Sequence, residues 1–196
     1  MTATTAPHAG TDARRIPGEA GTWVFLFGDM LVFGVFFVTF MVARGRTPEA
    51  FDAARATLHI GVGLLNTLVL LTSSLCVVAA LGAVRTGARA IGTSAVTAAI
   101  GCGLIFAGLK VYEYTALVSA GHGAGAGDFY LYYFILTGLH LFHVGLGLLA
   151  LTFVWTQTRR PELSGNRMAL VEGGACFWHL VDLLWIFLFA LLYLVS

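Results

Sequence analysis

Apolar residues run along the chain in five long stretches separated by short polar breaks. A hydrocarbon core about 30 Å thick takes roughly 20 apolar residues in helix, and each stretch is that long. The first runs from Trp23 to Ala43 and holds one charge, Asp29; the second, Ile60 to Val84, holds none. The third, Ile91 to Val118, is free of charge until Lys110 and Glu113 near its end. The fourth, Phe129 to Trp155, is uncharged but carries His140 and His143, and the fifth, Gly173 to Val195, has Asp182 as its only charge. This pattern predicts an all-α integral membrane bundle of five transmembrane helices, at about 23–43, 60–84, 91–118, 129–155 and 173–195.

Residues 1–22 are small, polar and broken by Pro7 and Pro17, so they read as a mobile tail before one membrane domain, 23–196. The first span is too long for the apolar region of a signal peptide and no A-x-A site follows it, so it is expected to be retained. The breaks between spans fall at 44–59, 85–90, 119–128 and 156–172, and no internal repeat appears. Cationic residues flanking the spans are unevenly shared. Arg14, Arg15, Arg85, Arg89, Arg159, Arg160 and Arg167 lie on the N-terminal side, against Arg44, Arg46 and Arg55 on the other. By the positive-inside rule the N-terminus is cytoplasmic and the C-terminus outside.

Composition agrees with this reading. Of 196 residues, 58% are hydrophobic and 11% charged, and the mean hydropathy is +0.86. Soluble domains carry about 25% charged residues, so this chain lacks the polar residues to cover a globule. A net charge of +1 leaves no excess to hold a phosphate backbone, which argues against nucleic-acid binding. Cys76, Cys102 and Cys176 lie far apart in apolar stretches without zinc-site spacing, and read as reduced, buried hydrophobes.

The candidate chemistry lies in the polar groups inside the spans, because an ionisable residue in a bilayer must face protein or water. At 1.5 Å per residue, Asp29 and His179 come out at roughly the same depth, about 10 Å inside the cytoplasmic edge, and are expected to meet. Lys110 and Glu113, at i and i+3, share a helix face as a register-fixing ion pair, with Lys110 also able to snorkel outward. Asn66 falls at their level, and His143 and Asp182 near the midplane. His140 and His143 form an H-x-x-H pair that resembles half a metal site, and only His179 and Asp182 are placed to complete it. Hydrogen-bonded core histidines are the simpler reading. Ala99, Gly103 and Ala107 make a small-residue stripe for a tight helix seam. Ser73, Ser74 and Thr72 have no histidine or acid nearby in sequence and are expected to bond backbone carbonyls. No nucleophile triad, phosphate loop or pair of catalytic carboxylates assembles, so no catalytic, cofactor or metal ligand is assigned.

Several strings together resemble subunit III of the haem–copper oxidases in its five-helix form. FWHLVDLLWIFLFALLYL (177–194) is similar to the family's last helix, with its W-H-x-x-D-x-x-W hallmark, and TGLHLFHVGLG (137–147) to its T-G-x-H-x-x-H-x-x-x-G. GLKVYEY (108–114) resembles the third-helix segment with Lys110 where the family has Gln, and LLNTLVLLTSS (64–74) the second. WVFLFGDMLVFGVFFVTF, from Trp23, resembles the segment in which a carboxylate precedes a run of Phe. Asp29 stands where subunits working with cytochrome c most often have Glu, and in this resembles quinol-oxidase subunits and the accessory proteins of nitric oxide reductase.

The resemblance implies a non-catalytic subunit in the cytoplasmic membrane of a bacterium, packed against the catalytic subunit I, which carries haem and copper. Such a chain would bind no redox metal itself, would hold structural phospholipid, and would stabilise its complex as electrons pass from cytochrome c or quinol to oxygen. Asp29, Asn66, Lys110, Glu113, His140, His143, His179 and Asp182 are the polar, lipid- or partner-contact positions it singles out. The alternative keeps the fold and changes the partner to nitric oxide reductase. A stand-alone haem or metal protein using His140, His143 and His179, and a small transporter, are readings from other classes; the transporter lacks the inverted repeats such proteins show.

Overall fold

The computed structural model describes residues 20–160 and 165–195. Among these residues the elements are helices: α1 (Ala20–Arg46), α2 (Pro48–Arg55), α3 (Ile60–Arg85), α4 (Arg89–Ser119), α5 (Asp128–Thr158) and α6 (Gly165–Phe189). A π-helical turn, Ala190–Leu194, continues α6. Five helices are long and apolar enough to cross a membrane, α6 together with its π turn being one. The expected tail lies largely outside the described residues, including Arg14 and Arg15.

Glycine sets two of the turns. After α3, Gly87 adopts φ +76°, and the Ala88 N–H donates to the Ala83 carbonyl at 2.8 Å and the Gly87 N–H to Val84 at 3.2 Å. After α4, Gly121 (φ +83°) repeats the pattern: His122 N–H to Leu117 O at 2.9 Å and Gly121 N–H to Val118 O at 3.0 Å. Both are Schellman closures, in which a left-handed residue lets the last carbonyls find donors and glycine carries no Cβ penalty.

Helices α3 to α6 pack around a shared centre of Leu70, Phe106, Tyr133, Trp178 and Trp185, all fully buried. Small residues permit the close approach. Ala99 is fully buried and its carbonyl accepts a 2.9 Å hydrogen bond from Ser73. Trp178 lies in a slot between Gly103 of α4 and Gly147 of α5, where an added Cβ would fall 2.8 and 2.6 Å from the indole. The expected seam thus holds at Ala99 and Gly103, while Ala107 is only half-buried. Helix α1 lies to the side, against α5 and α6. It turns Leu26, Phe33 and Phe40 inward and leaves Val24, Leu31 and Val38 exposed, as a lipid-facing helix would.

Three sequence expectations need correction. The break at 44–59 contains helix α2, opened by Pro48 at its first turn and anchored by buried Phe51 against Phe40 and Phe129. The fifth span starts at Gly165, eight residues before Gly173, because the polar residues Asn166, Arg167 and Glu172 form its membrane-edge turns. Cys76, Cys102 and Cys176 are free thiols, as expected, but half-buried instead of buried.

Candidate functional site

The polar residues of the bundle gather in three places. The first joins α4, α5 and the π turn. Lys110 is fully buried, and its ammonium donates to Glu113 Oε2 at 2.8 Å, Tyr133 Oη at 3.0 Å and Tyr193 Oη at 3.2 Å. An ammonium has three N–H bonds, and each has an acceptor here. Tyr193 in turn donates to Glu113 Oε1 at 2.6 Å. The rings of Trp185, Tyr133, Tyr114 and Tyr193 stand 4.9, 5.0, 5.7 and 5.7 Å from Lys110 Nζ, within cation–π range. The i, i+3 spacing brought Lys110 and Glu113 together correctly, but Lys110 does not snorkel: its charge is held inside by a carboxylate and an aromatic cage. The cage is tied to its surroundings, since Tyr114 and Thr137 hydroxyls are 2.6 Å apart and Trp185 Nε1 donates to Thr67 Oγ1 at 3.1 Å.

The second place joins α1 to α5. His143 Nδ1 lies 2.7 Å from the Leu139 carbonyl, and a carbonyl only accepts, so Nδ1 carries the proton. Nε2 lies 3.0 Å from Asp29 Oδ1. The pair therefore shares one further proton, held on Nε2 as an imidazolium or on Asp29 as an acid that donates to Nε2. Phe33 packs edge-on against the imidazole. Asp29 thus meets His143 and not His179. Depth along a helix does not carry the direction a side chain takes, and the face of α5 bearing His143 is the one α1 packs on.

The third place joins α3 to α6. Ser74 Oγ lies 2.6 Å from His179 Nδ1 and also interacts with the Asp182 carboxyl. This corrects the expectation that Ser74 bonds only backbone. Among the described residues no carboxylate is hydrogen-bonded to this imidazole, so the trio lacks the order of a nucleophilic triad. Asp182 is buried, one turn from both Trp178 and Trp185.

His140 and His143 do not act as a pair. His143 is committed to Leu139 and Asp29, whereas His140 is fully buried with its ring against Phe106 and Trp185. Asn66 is fully buried on the inner face of α3. Among the described residues no three His, Cys, Asp or Glu side chains converge as a metal site needs. Tyr133, Tyr193 and Trp185 were missed as site residues, although each is aromatic with a polar tip. The available signal was depth, because Tyr193 and Tyr133 lie near span ends at the level of Lys110.

Fold and site together define a multi-pass membrane protein whose interior charges hold its helices to one another. The chain belongs to the cytochrome c oxidase subunit III family, whose sequence profile matches residues 8–196. It is 32% identical over 186 residues to cytochrome c oxidase subunit 3 of Thermostichus vulcanus, covering 90% of this chain and 86% of that one. It is 27% identical over 178 residues to quinol oxidase subunit 3 of Bacillus subtilis, covering 90% and 86%. A third relative, haem–copper oxidase subunit I+III of Aeropyrum pernix, is 31% identical over 184 residues, 90% of this chain but only 22% of that longer protein.

Proposed function

We propose that this chain is the accessory subunit III of a haem–copper terminal oxidase, working in aerobic respiratory electron transport from cytochrome c or quinol to oxygen. The observation that carries the proposal is family membership over nearly the whole chain, with relatives named subunit 3 of both cytochrome c and quinol oxidases. The partner is the catalytic subunit I, and a relative whose name joins subunits I and III in one chain supports that choice. This chain binds no haem or copper itself. Four of its interior ionisable side chains are committed to one another, Lys110 with Glu113 and His143 with Asp29, which supports a stabilising role.

The complex lies in a bacterial cytoplasmic membrane with the N-terminus inside. Among the described residues, Arg85, Arg89, Arg159, Arg160 and Arg167 at one end outnumber Arg44, Arg46 and Arg55 at the other, which supports that orientation. The lipid-facing helices hold structural phospholipid. The test is the complex carrying Asp29→Ala or Asp182→Ala. Assembly or endurance over many turnovers is expected to fall more than the initial rate. Equal and immediate loss of electron transfer in a fully assembled variant would refute the accessory role.

A further inference from the structure

Where α3 begins and α4 stops, a pocket of about 200 Å³ lies between the two helices, and the buried carboxylate Glu113 is part of its wall. Two imidazoles, His59 and His122, share the lining. The backbone fixes both. His59 caps α3, its carbonyl accepting from the Val62 and Gly63 N–H groups at 3.0 and 3.2 Å, and the turn after α4 holds His122 through its N–H bond to Leu117. Among the described residues neither imidazole ring has a hydrogen-bond partner. The remaining wall is mostly apolar, with Leu58, Val62 and Leu117. Ala116 and Ala120, small and four residues apart, leave the space open on the α4 side, next to Tyr112, which is 66% exposed. The pocket therefore borders the bilayer.

Three features specify an occupant. The first is charge. Glu113 already has Lys110 as its counter-ion at 2.8 Å, so an added cation would be buried without compensation and an added anion would meet a carboxylate. A neutral donor is left. A carboxylate has about four lone-pair sites, and Lys110 and Tyr193 occupy two, so Glu113 can accept a further O–H. The second feature is shape. The His122 ring lies parallel to Tyr130, with centroids 5.0 Å and planes 10° apart, and so gives the pocket a planar aromatic wall. The third is size. The volume is several times the share of one water, about 30 Å³, yet below the roughly 300–1,000 Å³ of drug-sized sites, which suits a single ring.

We propose that this pocket binds a neutral, membrane-soluble phenol of the hydroquinone class, with one hydroxyl donating to Glu113 and the ring against His122. A second hydroxyl can meet a rim imidazole, which offers one donor and one acceptor when neutral. The assignment is of binding alone, with no electron transfer at the site. It goes beyond the accessory role and does not depend on it, because the pocket lies wholly within this chain.

The test uses the complex as purified with this chain, kept anaerobic and reduced so that the probe is not consumed. The probe is decylhydroquinone carrying a photoactivatable azide, and the readout is labelling of this chain against probe concentration. Cross-links in residues 57–62 and 112–122 support the site, and cross-links confined elsewhere overturn it. Ala116→Phe, which places a bulky side chain at the open side, is expected to raise the half-saturating concentration at least about tenfold. Unlabelled decylhydroquinone is expected to compete about tenfold better than its dimethyl ether, which keeps the ring and lacks the O–H, a difference of about 1.4 kcal/mol. Equal labelling of wild type and Ala116→Phe overturns the site, and equal competition by the ether overturns the bond to Glu113. Competition by decylamine as strong as by decylhydroquinone would make this a cation site and overturn the proposal. Hydroquinone without the alkyl tail competing as well as the tailed form assigns the pocket to a water-soluble phenol and overturns the membrane source. If Ala116→Phe fails to assemble, the cross-links and the ether on the wild-type complex decide.

Discussion

Lys110 and Glu113 provide the sharpest stability test, because both charges are buried and each is the other's counter-ion at 2.8 Å. Removing one partner of a buried ion pair costs about 3–5 kcal/mol, since the other charge is left without compensation, whereas removing both is often near neutral. Lys110→Met leaves the Glu113 carboxylate with the Tyr193 hydroxyl as its remaining donor among the described residues. Glu113→Gln leaves the ammonium with neutral acceptors and the aromatic cage. Each single variant is expected to lose about 3–5 kcal/mol, which at roughly 2–4 °C per kcal/mol lowers the melting midpoint by about 6–20 °C. The double variant Lys110→Met/Glu113→Gln carries no buried charge, and the amide oxygen that replaces the carboxylate can still accept from Tyr193. It is expected to recover more than half of the loss, a coupling of several kcal/mol. Tryptophan fluorescence during thermal unfolding in mild detergent reports on the site, since Trp185 lies 4.9 Å from the ammonium. Single variants that each cost less than about 1 kcal/mol and simply add in the double would refute the claim that this pair is a coupled, desolvated unit.

Three other outcomes are expected. Gly147→Ala places a Cβ 2.6 Å from the buried Trp178 indole and should cost about 1–3 kcal/mol, while Gly145→Ala, with nothing within 4 Å, should be neutral or gain up to about 1 kcal/mol, both read from thermal midpoints. Asp29→Leu removes the partner of His143 Nε2 and should cost about 1–3 kcal/mol, whereas the amide of Asp29→Asn can donate to Nε2 and should stay within about 1 kcal/mol of wild type. Ser74→Ala leaves His179 Nδ1 without its 2.6 Å partner and should lower stability by about 1 kcal/mol; an unchanged midpoint would show that bond to be dispensable.

The five spans were legible because a bilayer demands long apolar runs, and the chain supplies them with few interruptions. The Lys110–Glu113 pair was legible too, since a spacing of three on one helix leaves little freedom. Partners on different helices were not. Asp29 has nearby histidines on two other spans, and depth alone favoured His179, whereas helix rotation and stagger select His143. The error also came from the edge of α6: counted from Gly165 instead of Gly173, His179 lies deeper than its apolar run implied. Helix α2 was hidden because PEAFDAAR has Phe51 as its one large apolar residue, too little for a periodic signal. Tyr133 and Tyr193 escaped because the depth comparison took in the ionisable side chains and Asn66 but not hydroxyl-tipped aromatics, and the cage around Lys110 is built from such groups, which are cheap to bury. The Gly103–Trp178–Gly147 slot required knowing that α4 and α5 face the same indole, which the small-residue stripe on α4 could only half reveal.

The central claim is that this chain works as an accessory subunit beside a catalytic subunit that carries the redox centres. Affinity purification of the tagged chain from native membranes in mild detergent, with a reduced-minus-oxidised spectrum and identification of the comigrating chains, tests it most directly. The account predicts haem bands together with a large haem–copper oxidase subunit I, and loss of those bands when that subunit is removed from the preparation. Haem bands that stay with the isolated chain would contradict it, as would a chain that is colourless and, after cross-linking in intact membranes, still joined to no oxidase subunit.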